Sequence, residues 1–530
     1  MNGIQQTINQ KVLTKKSIIE KTIQVGSSTF LSRILGLVRE VALGHYLPLG
    51  IVSDAFFTAF KIPNMLRKIF AEGALSAAFI PTIVGLEKKG EREQVNSLIS
   101  LSFIIFQGSL LSFCTLAFIF ADRIIAITTP GFGAEQVAVT LPLFKILIFF
   151  IIFLSSSSLL AGALQSVHHF FIPAFSPVLL NVIFISGAVL GAYYNLPVEY
   201  LCYAILFAGF IQFLMHLFVY FKLNFNFGAI NKISWNNFND LLKRFFPVLF
   251  SMSLMEIILF LDESLASYLP AGSITLVYYA NRFMGIPLGV FATAFSTILF
   301  PHFSRISTYA PKRLSFYLFE STKFIFWVTI PVTILMIFFA DKIFITLFLS
   351  DKFPMSKVPE ATNILIAFVL GLFFFSLNKI LTNIYYSVKN TFTPTIISVV
   401  AGLINLTLNF ILMRWFFATG LAIAMTISLG LIQTTLLLFV LVKKYNFNIY
   451  PKHFIKFLYK YIIQLCTALV GFFSVYYLLN KMIQTMPATL AKFLLVKVGF
   501  WLWVGPLCML FFIVLYKLNK IFGTKLYFLD

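Results

Sequence analysis

The chain has 530 residues, 59% of them hydrophobic and 11% charged, and its formal net charge is +21. Soluble domains carry about a quarter charged residues, so this composition excludes a soluble globular enzyme and reads as a polytopic membrane protein. The basic residues form no hydrophilic tract but sit in short loops between apolar runs and at a few positions within them, a pattern of membrane topology and not of nucleic-acid binding.

Residues 1–22 are polar, carry Lys11, Lys15, Lys16 and Lys21, and show no small-residue cleavage site after a short apolar core; they read as a cytoplasmic tail. A spanning helix needs about 20 mostly apolar residues, which gives about fourteen spans. Their centres fall near residues 35, 68, 108, 152, 182, 210, 255, 290, 328, 373, 404, 430, 467 and 506, the first two being the least hydrophobic. The expected fold is all-α: a six-span lobe over 23–225, a second over 226–445, and an extra pair over 446–530. With the N-terminus inside, cytoplasmic segments hold about two dozen Lys and Arg against roughly seven outside, and an even span number puts both termini in the cytoplasm. Cys114, Cys202, Cys466 and Cys508 each stand alone in apolar segments and read as buried thiols.

The two lobes share a repeat. Tyr46-Leu47-Pro48-Leu49-Gly50 recurs as Tyr268-Leu269-Pro270-Ala271-Gly272, and Ser76 to Pro81 is echoed by Ser296 to Pro301. Even span numbers make the halves parallel, related by a pseudo-twofold along the membrane normal.

Polar chemistry concentrates in the first two spans. Asp54, Lys61, Asn64, Lys68 and Glu72 follow one another at helical spacing, with Lys68 and Glu72 placed to pair at i, i+4. Arg33, Gly36 and Glu40 are expected on one face of the first span, with Arg39 to one side. The second lobe adds Arg282 after Asn281, and Lys379 in the tenth span. A charged side chain facing lipid at mid-membrane costs roughly 2.5–3.5 kcal/mol on insertion scales, so these groups face protein, water or a charged ligand. Excess guanidinium suits a phosphate-bearing ligand, because Arg offers a fixed fork to phosphate oxygens; internal ion pairing and snorkelling are the competing explanation. Asp262, Asn405 and Asn409 could join around a small cation, although packing between helices explains the asparagines equally well. Gly36, Pro63 and Pro287 are candidate hinges. No ATPase-type phosphate loop or catalytic constellation is present, so direct ATP coupling within this chain is not expected.

The segments SRILGLVRE, SDAFFTAFKIPNMLRKIFAEGALSAAFIP and YYANRFMGIPLGV together resemble the bacterial MurJ (formerly MviN) family of lipid II flippases, within the multidrug/oligosaccharidyl-lipid/polysaccharide exporter superfamily. The resemblance implies two six-span lobes in a V around a central cationic cavity, with spans 13 and 14 forming a groove for a polyprenyl tail. It matches Arg33, Arg39, Arg67 and Arg282 to the family's cavity arginines, Asp54 to its second-span acid and Lys379 to a tenth-span base, with Ser32, Asn64, Lys68 and Glu72 in the same motifs. Two departures stand out: Asn281 and Gly285 replace acids common in relatives near Arg282, and Asn409 replaces an acid beside a proposed sodium site.

The expected activity is alternating-access transport of lipid-linked peptidoglycan precursor from the cytoplasmic to the outer face of the inner membrane, not enzymatic catalysis. Its implied partners are lipid II, membrane lipids and cell-wall synthesis and division proteins. No cofactor is expected beyond a coupling cation, sodium or proton, or the membrane potential. Alternatives are a flippase for another polyprenyl-linked glycan, a cation-coupled exporter, and a membrane enzyme acting on polyprenyl pyrophosphates.

Overall fold

A computed structural model describes residues 15–69, 75–448 and 450–529. Among them every regular element is helical, apart from one isolated bridge between Ser350 and Phe353. The chain divides into two compact units, Met1–Phe260 and Leu261–Asp530.

The first unit contains α1 (Lys15–Tyr46), α2 (Ile51–Leu66), α3 (Leu75–Lys88), α4 (Arg92–Ile119), α5 (Ala121–Thr128), α6 (Ala134–Leu147), α7 (Phe150–Ser166), α8 (Phe171–Tyr193) and α9 (Val198–Lys222). Helix α10 (Lys232–Leu265) closes it and leads into the second. That unit continues with α11 (Ser273–Pro287), a π-helical segment Leu288–Thr293, α12 (Ala294–Tyr309), α13 (Leu314–Phe338), α14 (Ala340–Leu347), α15 (Val358–Val369) and α16 (Leu372–Ser387). It ends with α17 (Phe392–Met425), a π-helical segment Thr426–Ile432, α18 (Gln433–Tyr445), α19 (Pro451–Gln484), α20 (Ala488–Val496) and α21 (Phe500–Phe522).

Ten helical stretches are long and apolar enough to cross a bilayer. The stretch Phe392–Tyr445 holds two of the expected spans, divided where Phe417 leaves the helix at φ 47°, ψ −133°. Helix α1, the α2–α3 stretch and α10 occupy the positions of the remaining three. The spans expected from hydropathy are therefore all helical where the structure describes them.

The repeat has a backbone cause. Gly50 at φ +143° and Gly272 at φ +96° stand immediately before α2 and α11, in a region that L side chains rarely adopt. Each copy thus breaks the preceding helix and restarts the chain in a new one. The tyrosines differ: Tyr46 is buried and its hydroxyl donates to the Leu196 and Pro197 carbonyls at 2.8 Å each, whereas Tyr268 is exposed. Downstream, Pro81 and Pro301 both lie inside helices, α3 and α12.

Packing follows membrane rules, in which small residues let helices approach. A Cβ on Gly191 of α8 would lie 2.7 Å from the Tyr46 ring, so this glycine admits the end of α1. In the first unit a core of Phe79, Leu98, Leu159, Leu164, Tyr220 and Phe245 ties α3, α4, α7, α9 and α10 together. In the second, α19 and α21 pair through Gln464, whose Nε2 donates to Leu515 O at 2.6 Å and Asn519 Oδ1 at 2.5 Å. Tyr461 of α19 donates to Trp327 O of α13 at 2.9 Å, attaching the last two spans to that unit. Beside this contact lies a buried ion pair that charge counting did not single out, Lys323 to Glu320 at 2.9 Å. Cys114 and Cys202 are buried as expected, but Cys508 is half-buried and Cys466 is exposed, because α19 turns much of its surface outward.

Candidate functional site

Helix α1 packs along α8, and the face it buries is set by Ser32, Gly36, Arg39 and Glu40 rather than by Arg33. Spacing placed Arg33 with Gly36 and Glu40. In the structure Gly36 and Glu40 are buried and Arg33 is exposed, because α8 meets the Ser32 side of the helix. Arg39 is held on several sides. Its Nη2 donates to Glu40 at 2.6 Å, its Nη1 donates to Asn181 Oδ1 of α8 at 3.0 Å, and its guanidinium carbon lies 5.1 Å from the centre of the Phe184 ring. Asn181 completes the arrangement by donating to the Ser32 carbonyl at 3.2 Å. Sequence reasoning did not single out Asn181 or Phe184; the available signal was an amide near the middle of an otherwise apolar span.

Along α2, the polar residues separate by environment. Asp54 is almost fully buried in the first turn of the helix, where a carboxylate suits the helix dipole. Asn64 accepts from both Nε and Nη2 of Arg67, at 3.1 and 2.9 Å, and so orients that guanidinium. Lys61 donates to the Phe260 carbonyl of α10 at 2.7 Å, with its ammonium 4.1 Å from the centre of the Phe260 ring. Lys68 bonds Glu256 of α10 at 3.1 Å; Glu72, its expected helical partner, lies outside the described residues. Pro63 is buried inside α2.

In the second unit Arg282 and Lys379 are exposed on α11 and α16. The Lys379 carbonyl accepts from Ser296 Oγ at 3.2 Å, and Asn383 donates to the Ser296 carbonyl at 2.8 Å, pinning α16 to α12. Gly285 has open space where a Cβ would stand, so nothing in the packing demands its lack of a side chain. Pro287 ends α11 and the π-helical segment begins at the next residue, a local break in helical hydrogen bonding at the expected hinge.

Asp262, Asn405 and Asn409 do come together. Both asparagine amides donate to Asp262 Oδ1, Asn405 at 2.6 Å, and Ser428 Oγ donates to Asn405 Oδ1 at 2.8 Å. Asn409 is fully buried, and its Oδ1 accepts no hydrogen bond among the described residues. One carboxylate, two amide oxygens and a hydroxyl form a hard-oxygen set with a single negative charge, which fits a monovalent cation. Among the described residues no group of three or more His, Cys, Asp and Glu side chains is placed to hold a metal ion.

An all-helical, multi-pass chain with basic residues retained on its spans has the attributes of a membrane transporter. A multidrug resistance MATE transporter of the MOP superfamily in its inward-facing conformation shares the fold, with a TM-score of 0.65 at 14% identity, covering 79% of this chain and 96% of that one. A solved structure of a lipid II flippase MurJ in its inward closed conformation matches with a TM-score of 0.75 at 26% identity, over 94% of this chain and 98% of that one. In sequence, the probable lipid II flippase MurJ of Buchnera aphidicola subsp. Schizaphis graminum is 32% identical over 425 residues, 78% of this chain and 81% of that relative. The Haemophilus influenzae counterpart is also 32% identical, over 428 residues, 76% of this chain and 82% of that relative. The family profile described as lipid II flippase MurJ matches residues 43–499. The chain belongs to the lipid II flippase MurJ family.

Proposed function

We propose that this chain is a lipid flippase that moves lipid-linked peptidoglycan precursor from the inner to the outer face of the bacterial cytoplasmic membrane. The observation that carries the site assignment is the exposure of Arg33, Arg282 and Lys379 on membrane-spanning helices. Cations there are tolerated only against water or an anion. In the first unit Arg33, Arg39 and Arg67 engage the pyrophosphate, supported by Asp54, Asn64 and the remaining polar residues of α2; in the second, Arg282 and Lys379 are the expected pyrophosphate ligands. The apolar tail stays in the bilayer or along α19 and α21. Both termini lie in the cytoplasm, and cell-wall synthesis and division proteins are the expected neighbours. A negative-inside potential favours outward passage of the headgroup by about 2.3 kcal/mol per uncompensated charge per 100 mV.

Functional replacement tests this reading. In a bacterium depleted of its own lipid II flippase, the wild-type chain restores lipid II at the outer face. Arg33→Ala and Arg282→Ala insert at normal levels but fail. A wild-type chain that inserts without restoring exposure moves the substrate to another polyprenyl-linked glycan, and product formation from the lipid would make it an enzyme. Normal exposure with both alanine variants rejects the arginine site.

A sodium ion among Asp262, Asn405, Asn409 and Ser428 is the accompanying proposal, favoured by the buried, unpartnered Asn409 Oδ1. The amides would rotate to present their oxygens, and the ion would supply coupling to a cation gradient. Sodium, but not potassium, then raises the melting temperature of the purified chain, by an increment absent from Asp262→Asn. Equal melting curves in the two salts discard the ion.

A further inference from the structure

Asn181 sits near the middle of α8, where an amide has no helical advantage and finds no water in hydrocarbon. Its residue is 6% exposed, and among the described residues its side chain's hydrogen bonds run to α1. Arg is donor-only, so Oδ1 must face Arg39 and Nδ2 must face an acceptor. The Ser32 carbonyl at 3.2 Å and hydroxyl at 3.4 Å are those acceptors. The orientation of the amide therefore follows from its partners.

On Arg39 this contact adds to the pair with Glu40. The guanidinium pairs with the fully buried Glu40 at 2.6 Å, a contact made at one edge of its plane. The Asn181 oxygen at 3.0 Å fixes a second edge, and the Phe184 ring at 5.1 Å limits the guanidinium on a third side. The amide, the carboxylate and the ring come from two helices, α1 and α8, and converge on one cation.

We propose that Asn181 is a positioning residue for Arg39: Ser32 sets the amide of Asn181, and Asn181 sets the plane of the guanidinium for a pyrophosphate. This rests on the reading of Arg39 as part of the pyrophosphate site.

The test is a double-mutant cycle on the full-length purified chain, with farnesyl pyrophosphate as the probe and binding affinity as the readout. Arg39→Ala is expected to weaken binding about tenfold or more and Asn181→Leu about five- to tenfold, typical of truncated charge-assisted contacts. The double variant should bind within about twofold of Arg39→Ala alone, a coupling that a merely structural role for Asn181 would not produce. Asn181→Ser keeps a small polar side chain but is too short to reach Arg39 or Ser32, and should reproduce the loss if the leucine variant does not fold. If Arg39→Ala leaves affinity unchanged, the pyrophosphate reading of Arg39 fails. If Arg39→Ala weakens binding while both Asn181 variants bind normally, or if the two losses simply add, the positioning role is overturned.

Discussion

Two glycines show how differently a missing side chain acts at separate places in this chain. Gly191 admits the Tyr46 ring at a distance no Cβ would survive, while Gly285 faces open space. Gly191→Ala should force the ring away from its two carbonyl acceptors and destabilise the first unit by about 1–3 kcal/mol, the usual cost of overpacking. Gly285→Ala should raise stability by up to about 1 kcal/mol, because alanine is the better helix former and nothing opposes it. Thermal unfolding of the two variants beside the wild type checks both signs. Equal melting points for all three would mean that Tyr46 does not depend on that close approach.

At the scale of elements, α2 and α10 are joined by a two-rung ladder, Lys61 to Phe260 and Lys68 to Glu256. From spacing alone both lysines fell among the candidate substrate ligands, since the helical stripe they share with Asp54 and Asn64 has no feature that separates ligand from helix partner. The ladder supplies one: Lys61 is held simultaneously by a backbone carbonyl and by the face of the same residue's ring. Lys61→Met, which keeps the stem and loses the ammonium, should speed amide hydrogen exchange around Phe260 by up to about tenfold, matching a loss near 1 kcal/mol. Affinity for a polyprenyl pyrophosphate should change by less than about twofold. A large loss of affinity with unchanged exchange would return Lys61 to the ligand-binding set.

For the whole molecule, the sequence made the class, the span positions and the basic residues legible, because hydropathy and charge are local properties read directly from composition. The repeat was visible as letters, and its cause became clear only from the positive φ of Gly50 and Gly272. What could not be read was which helix each polar group meets. Asn181 against Arg39 and Lys68 against Glu256 are separated by 142 and 188 residues, and no periodicity along one helix encodes such pairings. The same reason explains Arg33: helical spacing defined a face, but the position of α8 decided which edge of that face is covered.

The turn between the two spans of Phe392–Tyr445 bears on how the chain enters the membrane during synthesis. A single non-helical residue, Phe417, kinks the chain, and Gly420 lies so near the Leu412 carbonyl that a Cβ would approach it to 2.4 Å. No loop remains between these spans for the insertion machinery to hold on the far side while it releases one helix and awaits the next. Two spans joined by so short a break are expected to enter the membrane as one unit rather than in turn.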